Sequence, residues 1–319
     1  MRYAFQAEGL VKRFGKTTAL GGIDLAARPG TVLGVLGPNG AGKTTAIRIL
    51  ATLLRPDQGT AAVAGLDVVR HAARVRQTIG LTGQYASVDE DLTGAENLVL
   101  IGRLLDLRRA QAKARATQLL EQFGLTEVAG RPASTYSGGM RRRLDLAASL
   151  VGRPSVIFLD EPTTGLDPGK REDVWRIIRS MIHDGGTVLL TTQYLEEADA
   201  LADEITVIDH GQVIANGTPA ELKRIVGGQT IAVRPKDPDR LDDAAAIIGA
   251  VAGREPKPAG RGLLTVPVDG DTAFTEAVRR LDAARIGVTE LSLRLPSLDE
   301  VFFSLTGHHT DEHDKEQAA

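Results

Sequence analysis

Apolar residues in the first two thirds of the chain form short continuous runs, and amphipathic segments lie between them. The runs have strand length and are rich in Val, Ile and Leu, which is typical of strands buried on both faces. The predicted buried strands are residues 31–36, 155–159, 187–191 and 205–209. The predicted helices are residues 44–54, 92–123 and 171–183. Because strands alternate with helices, the pattern predicts an α/β sheet with parallel strands.

The two ends of the chain follow other patterns. Residues 4–29 predict two or three short strands with turns at 14–16 and 21–22, and two more short strands are predicted at 60–63 and 79–82. After the glycine pair at 227–228 the pattern predicts a small α+β domain. Its predicted strands are residues 230–233, 263–268 and 289–295, and its predicted helices are residues 239–251 and 272–284. The predicted domains are therefore 1–226 and 227–307, followed by a disordered tail, 308–319.

Composition narrows the class of protein. The 319 residues carry a formal net charge of -3, so bulk nucleic-acid binding gets no support and no nucleic-acid partner is expected. No cysteine is present, which excludes disulfides and thiolate metal sites. No apolar run approaches the ~18 residues that a membrane span needs, and the first residues lack a signal-peptide core. Any membrane role is expected to go through a partner.

A glycine-rich loop follows the predicted strand at 31–36 and opens the helix at 44–54. Its sequence matches the phosphate-loop pattern G-x-x-x-x-G-K-[ST]. In such a loop backbone N–H groups face phosphate oxygens, Lys43 adds charge at the β- and γ-phosphates, and Thr44 offers a hydroxyl to Mg²⁺. The predicted nucleotide-binding residues are Gly37, Pro38, Asn39, Gly40, Ala41, Gly42, Lys43, Thr44 and Thr45.

Two carboxylates, Asp160 and Glu161, end the apolar run at 156–159. In a phosphoryl-transfer site an Asp at a strand end holds Mg²⁺ directly or through water. An adjacent Glu can orient or deprotonate the attacking water. Alone, such a pair is more often a solvated strand end, but beside a phosphate loop the catalytic interpretation is favoured.

Residues 134–150 place a Ser-Gly-Gly turn directly before a helix with a basic first turn. Basic residues there oppose the helix dipole, so a negative partner is expected near Arg141. A serine before a helix can also be a simple N-cap. Both interpretations can hold together, but a cap alone accounts for neither Gly138 nor Gly139.

Ser137-Gly138-Gly139-Met140 resembles the signature motif of ABC-type ATPases, usually Leu-Ser-Gly-Gly-Gln; Tyr136 replaces the Leu and Met140 the Gln. The order of motifs also fits that family, over about residues 4–218. The resemblance implies an α/β fold, a P-loop NTPase of ABC type with a mixed-sheet core and antiparallel β and helical subdomains. The small C-terminal α+β domain follows it.

In that family two ATPase domains pack head to tail and hold ATP between them. The resemblance implies that Ser137, Gly138 and Gly139 contact the γ-phosphate of ATP bound to the phosphate loop of a second copy. The phosphate would then offset the charge of Arg141, and the helix N-terminus would add its dipole.

The resemblance assigns four further residues. Phe14 would stack on adenine, although a core position is an equally open alternative. Gln84 would contact Mg²⁺ or the attacking water and sense the membrane partner, and Asp167 would lie at the dimer interface. Gln193 replaces the family's usual His; its amide can donate to a phosphate but cannot titrate near neutral pH, so a positioning role remains. More of the water activation then falls to Glu161.

Several segments resemble the daunorubicin/doxorubicin-resistance type of drug-export ATPase. They are Gln193 itself and residues 82–86, 91–94, 136–144 and 298–307. By resemblance the last segment closes the accessory domain and serves dimerisation and coupling to the membrane subunit. A terminal helix that only packs on its own domain is the alternative.

The function implied by the resemblance is ATP hydrolysis, with ATP and Mg²⁺ as cofactors. A homodimer on the cytoplasmic face of the cell membrane would power export of a hydrophobic drug or antibiotic through separate membrane-spanning permease subunits. Three alternatives stay open: export of a lipid or polysaccharide precursor, a non-transport ABC ATPase, and an ATP-gated binding module. The single phosphate loop argues against an ABC ATPase that acts on the ribosome, and the lack of a long heptad run argues against one that acts on DNA. Glu161 argues against the ATP-gated binding module, which would need no carboxylate to activate water.

Overall fold

The computed structural model describes residues 3–83, 88–183, 185–225, 229–260, 262–268, 270–294, 297–298 and 301–302. The chain divides into two compact units, Met1–Thr218 and Pro219–Ala319. The boundary predicted after residue 226 lies at the other end of the helix Pro219–Ile225. The tail predicted at 308–319 and Gln84 lie outside the described residues.

The described residues of the first unit form ten strands. They are β1 (Phe5–Phe14), β2 (Thr17–Ala27), β3 (Val32–Leu36), β4 (Gln58–Val63), β5 (Leu66–Asp67), β6 (Ile79–Thr82), β7 (Val156–Asp160), β8 (Thr187–Thr192), β9 (Glu204–Asp209) and β10 (Gln212–Gly217). Its helices are α1 (Lys43–Leu50), α2 (Ala72–Thr78), α3 (Gly94–Leu104), α4 (Arg109–Gln122), α5 (Gly138–Ser149), α6 (Pro168–His183) and α7 (Leu195–Leu201). Two short 3-10 helices are Thr126–Val128 and Ala133–Thr135.

A six-stranded sheet with the order β10-β9-β3-β8-β7-β6 forms the centre of this unit. The neighbours from β9 to β6 are parallel, and only β10 at the edge runs antiparallel to β9. Every residue of β3, β7 and β8 is buried, as the continuous apolar runs predict. The parallel arrangement brings the carboxyl ends of these strands to one edge.

The central sheet packs a separate apolar layer on each face, because successive side chains of a strand point in opposite directions. In β7, Val156 and Phe158 belong to the layer shared with β1, β2 and α1. Ile157 and Leu159 belong to the layer shared with α3 to α6. The first layer lies beneath a second sheet of the order β2-β1-β4-β5, whose neighbours pair antiparallel.

Phe158 tests the packing between these two sheets. Its side chain is 0% exposed, and its ring meets that of Phe5 in β1 edge to face, with centroids 5.8 Å apart. We expect Phe158→Ala to lower the free energy of unfolding by about 3–5 kcal/mol, because it removes buried surface and leaves a cavity. Urea denaturation measures the change, with the exposed Leu104→Ala as a control that shifts stability by no more than about 0.5 kcal/mol. Equal effects of the two substitutions would contradict this packing.

The second unit is an α+β unit, and its elements lie close to those predicted. It contains α8 (Pro219–Ile225), β11 (Gln229–Pro235), α9 (Leu241–Ala252), β12 (Lys257–Pro258), β13 (Leu264–Val268), α10 (Asp271–Ala283) and β14 (Val288–Arg294), with a 3-10 turn at Pro238–Arg240. Its sheet has the order β12-β13-β11-β14 and pairs antiparallel. Three described residues of the predicted terminal stretch, Leu298, Val301 and Phe302, have buried side chains.

Two sequence-based predictions need correction. Residues 4–29 form two long strands rather than two or three short ones; their pairing contains several register shifts, which account for the interrupted pattern. The predicted helix at 92–123 is two helices, separated at residues 105–108, where Asp106 has a positive φ of 63°. No glycine or proline marks this break, so its sequence signal is weak.

Candidate functional site

The glycine-rich loop connects β3 to α1, as predicted. A Cβ on Gly37 would lie 2.2 Å from the carbonyl oxygen of Ile208, and one on Gly42 would lie 2.5 Å from that of Ala19. Gly42 also has φ 109°, a region that strongly favours glycine. The backbones of β9 and β2 therefore lie too close to the loop for a side chain at Gly37 or Gly42, and the two glycines allow the tight turn that leads into α1.

Lys43, the first residue of α1, is turned inward and is only 4% exposed. Its ammonium donates to the carbonyl oxygens of Gly37 at 2.7 Å and Pro38 at 3.2 Å. It also lies 3.5 Å from Glu161 Oε1. Burial lowers the pKa of Lys43, and the nearby carboxylates of Glu161 and Asp160 oppose that shift. The ammonium of Lys43 is thus buried among backbone carbonyls of the loop and the carboxylate of Glu161, which follows β7.

Asp160 lies at the end of β7 and joins the loop to the neighbouring strand. Its Oδ1 accepts hydrogen bonds from Thr44 Oγ1 at 3.1 Å and from Thr191 Oγ1 at 2.6 Å. Thr191 belongs to β8 and is the residue paired with Asp160 in the sheet. Thr191 was not predicted from the sequence. Its signal is that two apolar strands, β7 and β8, both end in polar residues, which parallel pairing brings together.

Glu161 has a backbone conformation that non-glycine residues seldom adopt, with φ 50°. Its backbone N–H donates to Thr191, reaching the carbonyl oxygen at 3.0 Å and the hydroxyl at 3.1 Å. Its Oε2 accepts from Thr164 Oγ1 at 3.3 Å. These contacts hold the carboxylate, 8% exposed, beside Lys43. Strain of this kind persists only where the surroundings determine the conformation, and it is frequent at active sites.

Gln193 follows β8 and lies at the same edge as the loop and Glu161. Leu36 pairs with Thr192 and Asp160 pairs with Thr191, so the residues after these pairs share one end of the sheet. Gln193 is half-buried there. Gln84, two residues after the end of β6 in the sequence, lies outside the described residues.

The Ser-Gly-Gly segment, residues 137–139, begins α5. Ser137 is the N-cap, and its hydroxyl accepts from Met140 N at 3.3 Å, so the N-cap interpretation is correct. Gly138 is exposed, and a Cβ on it would meet nothing within 4 Å. A Cβ on Gly139 would meet Lys170 Cδ at 2.9 Å. The fold of a single chain therefore gives Gly138 no packing reason to be glycine.

The three arginines of α5 have partners within the chain. Arg141 pairs with Glu90 at 2.7 Å, so the negative partner expected near Arg141 is present within the chain, and the contribution of a ligand phosphate stays a prediction. Arg143 donates to the carbonyl oxygen of Phe123 at 3.1 Å. Arg142 donates to carbonyl oxygens around Glu161. The contacts of Arg142 were not predicted from the sequence, because their acceptors lie far from Arg142 along the chain.

Phe14 ends β1 at the hairpin with β2, and its side chain is 51% exposed. The core alternative is therefore excluded. Lys12 Nζ lies 5.7 Å from the centroid of its ring. Asp167 is also exposed, and it accepts from Lys170 N at 3.0 Å at the start of α6. The hydrogen bond and charge of Lys170 lower the pKa of Asp167. Neither residue contributes to the buried Lys43–Glu161 cluster.

Comparisons with known proteins match both parts of the chain. The ABC transporter family model matches residues 20–164, and the model of the DrrA1-3-like ATP-binding protein C-terminal domain matches residues 217–306. Daunorubicin resistance ATP-binding protein DrrA2 of Streptomyces coeruleorubidus is 54% identical over 319 residues, covering 99% of each chain. Daunorubicin/doxorubicin resistance ATP-binding protein DrrA of Streptomyces peucetius is 50% identical over 320 residues, covering 99% of this chain and 96% of that protein.

Among solved structures, the ADP conformation of an ABC-transporter ATP-binding cassette is similar with a TM-score of 0.63 and 26% identity. The similarity covers 68% of this chain and 92% of that cassette. The family and the fold class predicted from the sequence are confirmed. The chain therefore belongs to the ABC transporter family, among the ATP-hydrolysing subunits of the daunorubicin/doxorubicin-resistance type.

Proposed function

We propose that the chain hydrolyses Mg-ATP as a nucleotide-bridged homodimer and powers export of a hydrophobic drug through separate permease subunits. The observation that carries the proposal is the cluster at one edge of the central sheet. There Lys43 lies 3.5 Å from Glu161, and Thr44 bonds Asp160 at 3.1 Å. Phosphoryl transfer from a nucleotide to water uses groups of this kind: a cation, a hydroxyl–carboxylate pair and a second carboxylate.

The loop at 37–45 is the proposed phosphate-binding element. Its backbone enters α1 at the helix N-terminus, where unpaired N–H groups and the dipole favour an anion. Lys43 Nζ now donates to loop carbonyls 2.7 and 3.2 Å away. Phosphate oxygens would replace these carbonyls as the acceptors of Lys43 Nζ, and the charge of Lys43 would stabilise the β- and γ-phosphates.

Mg²⁺ fits the oxygen donors at this edge. Thr44 and Thr191 both donate to Asp160 Oδ1, which places one carboxylate and two hydroxyl oxygens beside the loop. Mg²⁺ at phosphate sites takes one or two carboxylates together with substrate phosphates, so a cluster of acidic residues is not required. Thr44 and Asp160 would hold the ion, with Gln84 as the third proposed ligand. When bound, Mg²⁺ supplies charge neutralisation to the phosphates.

Glu161 is the proposed base for the attacking water, and Gln193 positions the γ-phosphate. Both residues follow strand ends that meet at the same edge of the sheet. The Glu161 carboxylate keeps contacts with Lys43 and Thr164, which fix its direction. The amide of Gln193 can donate a hydrogen bond but carries no titrating proton, so proton transfer is left to Glu161.

The dimer completes the site. Ser137 and Gly138 are exposed at the N-terminus of α5, and Gly138 has open space around it. A second copy packed head to tail would place this positive helix end at the γ-phosphate on the first copy. Asp167, exposed at the start of α6, is the proposed interface residue next to it.

Phe14 is the proposed adenine platform, since its ring is 51% exposed. We expect Phe14→Ala to raise the Kd for ATP by about 5- to 150-fold, because a base–aromatic stack contributes about 1–3 kcal/mol. Fluorescence titration with a labelled ATP analogue measures the Kd. Leu53→Ala, which truncates another exposed apolar side chain, is the matched control and leaves the Kd unchanged. An unchanged Kd in Phe14→Ala would remove adenine stacking from its role.

Within the described residues, no helix is both long enough and apolar enough to cross a membrane. The proposed location is the cytoplasmic face of the cell membrane, reached through the permease. The C-terminal unit, which matches a domain found in DrrA-type proteins, is proposed to serve dimerisation and coupling. The stretch that closes this unit, in which Leu298 and Phe302 are buried, is proposed to contribute to that role.

The exported drug is tested in a drug-sensitive bacterial host. The chain would be expressed together with a candidate permease subunit, and cellular doxorubicin fluorescence measured over time. We expect lower accumulation than with the Lys43→Ala form, which cannot position the phosphates. Equal accumulation in both strains, with both proteins present in the membrane fraction, would point to another cargo such as a lipid or polysaccharide precursor.

A further inference from the structure

We infer that Arg142 is a positioning residue that couples the two ATP sites of the proposed homodimer. Arg142 lies in α5, the helix whose N-terminus is proposed to contact ATP on the second copy. Its guanidinium binds the backbone that carries Asp160 and Glu161 of its own copy. The inference rests on the proposed function, because it requires each copy to contribute to both sites.

Most hydrogen bonds of the Arg142 guanidinium go to one short segment, residues 160–162, which we call the strand-end segment. Nε donates to the Pro162 carbonyl oxygen at 2.5 Å, and one terminal nitrogen donates to that of Glu161 at 3.1 Å. The other terminal nitrogen donates to the carbonyl oxygen of Gly83 at 3.0 Å, just after β6. A planar guanidinium fixes the directions of these bonds together, so helix and strand-end segment are held in one geometry.

This arrangement bears directly on Glu161. The residue has φ 50°, and such a conformation must be held by its neighbours. Thr191 accepts from its N–H at 3.0 Å, and Arg142 donates to its carbonyl oxygen at 3.1 Å. The two peptide groups that flank the Cα of Glu161 are therefore held by two different elements, β8 and α5. Arg142 acts on the carboxylate through the backbone and does not contact the reacting atoms.

The charge of Arg142 is kept in place by buried acids. Burial lowers the pKa of Arg142, while Asp145, Glu197 and Asp160 favour its charged form. Glu197 is 0% exposed and accepts from Trp175 Nε1 at 3.1 Å. Because a guanidinium remains protonated, removing it from these carbonyl acceptors without replacements would cost free energy.

The coupling follows from the geometry of a head-to-tail dimer. Arg142 lies about 7.5 Å along α5 from Ser137, at 1.5 Å per residue. A rigid helix that is drawn toward the second copy's γ-phosphate moves the guanidinium with it. The strand-end segment of its own copy then moves as well. Occupancy of one site thereby adjusts the position of Glu161 in the other.

The test uses the full chain as Arg142→Lys, which keeps the positive charge but not the planar donor set, and Arg142→Gln. The matched control is Arg143→Lys, one residue along the same helix, whose contacts go to Phe123 and Gly124 instead. For each protein we would measure ATP turnover against ATP concentration, ATP binding, Mg-ATP-dependent mass and thermal stability. The lysine variant keeps the inference testable if the glutamine variant does not fold.

We expect Arg142→Lys to bind ATP and dimerise with Mg-ATP as the wild type does. Its kcat falls about 10²-fold, as expected for a small misplacement of a catalytic group. The Hill coefficient for ATP falls below its wild-type value, which is at most 2 for two sites. Arg143→Lys retains both the rate and the Hill coefficient.

Three results would contradict these expectations, and the first can be told apart from the other two. A wild-type chain that neither dimerises with Mg-ATP nor shows cooperative turnover would overturn the proposed dimer, and this inference with it. A cooperative, dimerising wild type with an Arg142→Lys variant of equal kcat and Hill coefficient would overturn the inference alone. A variant whose KM rises while kcat and Hill coefficient stay unchanged would also overturn it, since Arg142 would then affect binding only.

Discussion

Glu161→Gln slows ATP hydrolysis by about 10²- to 10⁴-fold while ATP binding is retained, which is the range attributed to a general base. The amide keeps the size of the side chain and can still accept a hydrogen bond from Thr164, but it cannot take a proton from water. Turnover is measured as phosphate release at saturating Mg-ATP. Binding is measured by titration of a labelled analogue.

The control is Glu196→Gln, which makes the same change of charge at an exposed position of α7. We expect it to turn over ATP at the wild-type rate. The Lys43–Glu161 ion pair at 3.5 Å is lost in the Glu161 variant, so the melting temperature of both variants is recorded to separate stability from catalysis. Brisk hydrolysis by a folded Glu161→Gln protein would place the base on another residue.

Gly138→Asp abolishes cooperative ATP turnover without unfolding the chain. A Cβ at this position meets nothing within 4 Å, so the fold has room for a side chain. A carboxylate in the first turn of α5 is also favourable for the helix, by about 0.3–1 kcal/mol. In the dimer, however, the same charge would oppose the γ-phosphate held by the second copy. Stability and activity should therefore move in opposite directions, which a folding defect cannot produce.

Gly130→Asp is the matched control for this substitution. Gly130 is likewise exposed, with nothing within 4 Å of a Cβ, and it lies outside the site. We expect Gly130→Asp to keep wild-type turnover and Gly138→Asp to lose at least about 10²-fold, the order found when a phosphate-stabilising group is removed. Melting curves and phosphate release measure both effects. Equal turnover in the two variants would mean that the N-terminus of α5 does not meet a nucleotide.

The sequence predicted best those elements whose signal is local. The strands β3, β7 and β8 were found because strands buried on both faces must be apolar throughout. The phosphate loop was found because glycines, Lys43 and Thr44 are adjacent in the chain. The same holds for Asp160 and Glu161, whose apolar strand precedes them directly. Their meeting with Thr44 follows from the parallel order of β3, β8 and β7, which a strand pattern alone does not give.

What the sequence could not predict depends on contacts between distant segments. Arg142 was expected only as part of a basic helix start, because the carbonyls of residues 160–162 are 18 to 20 residues away from it in sequence and that of Gly83 is 59 residues away. Phe14 was left open between core and surface, since its neighbours alternate irregularly along a strand with register shifts. The break between α3 and α4 has no glycine or proline to announce it.

The central claim is that two copies bind ATP between the phosphate loop of one and residues 137–139 of the other. Light scattering on the purified Glu161→Gln protein, with and without Mg-ATP, tests it most directly. We expect the mass of one chain without nucleotide, the mass of two chains with Mg-ATP, and the mass of one chain with Mg-ATP when Gly138→Asp is combined with Glu161→Gln. A protein with ATP bound at one molecule per chain that keeps the mass of a single chain would contradict the claim.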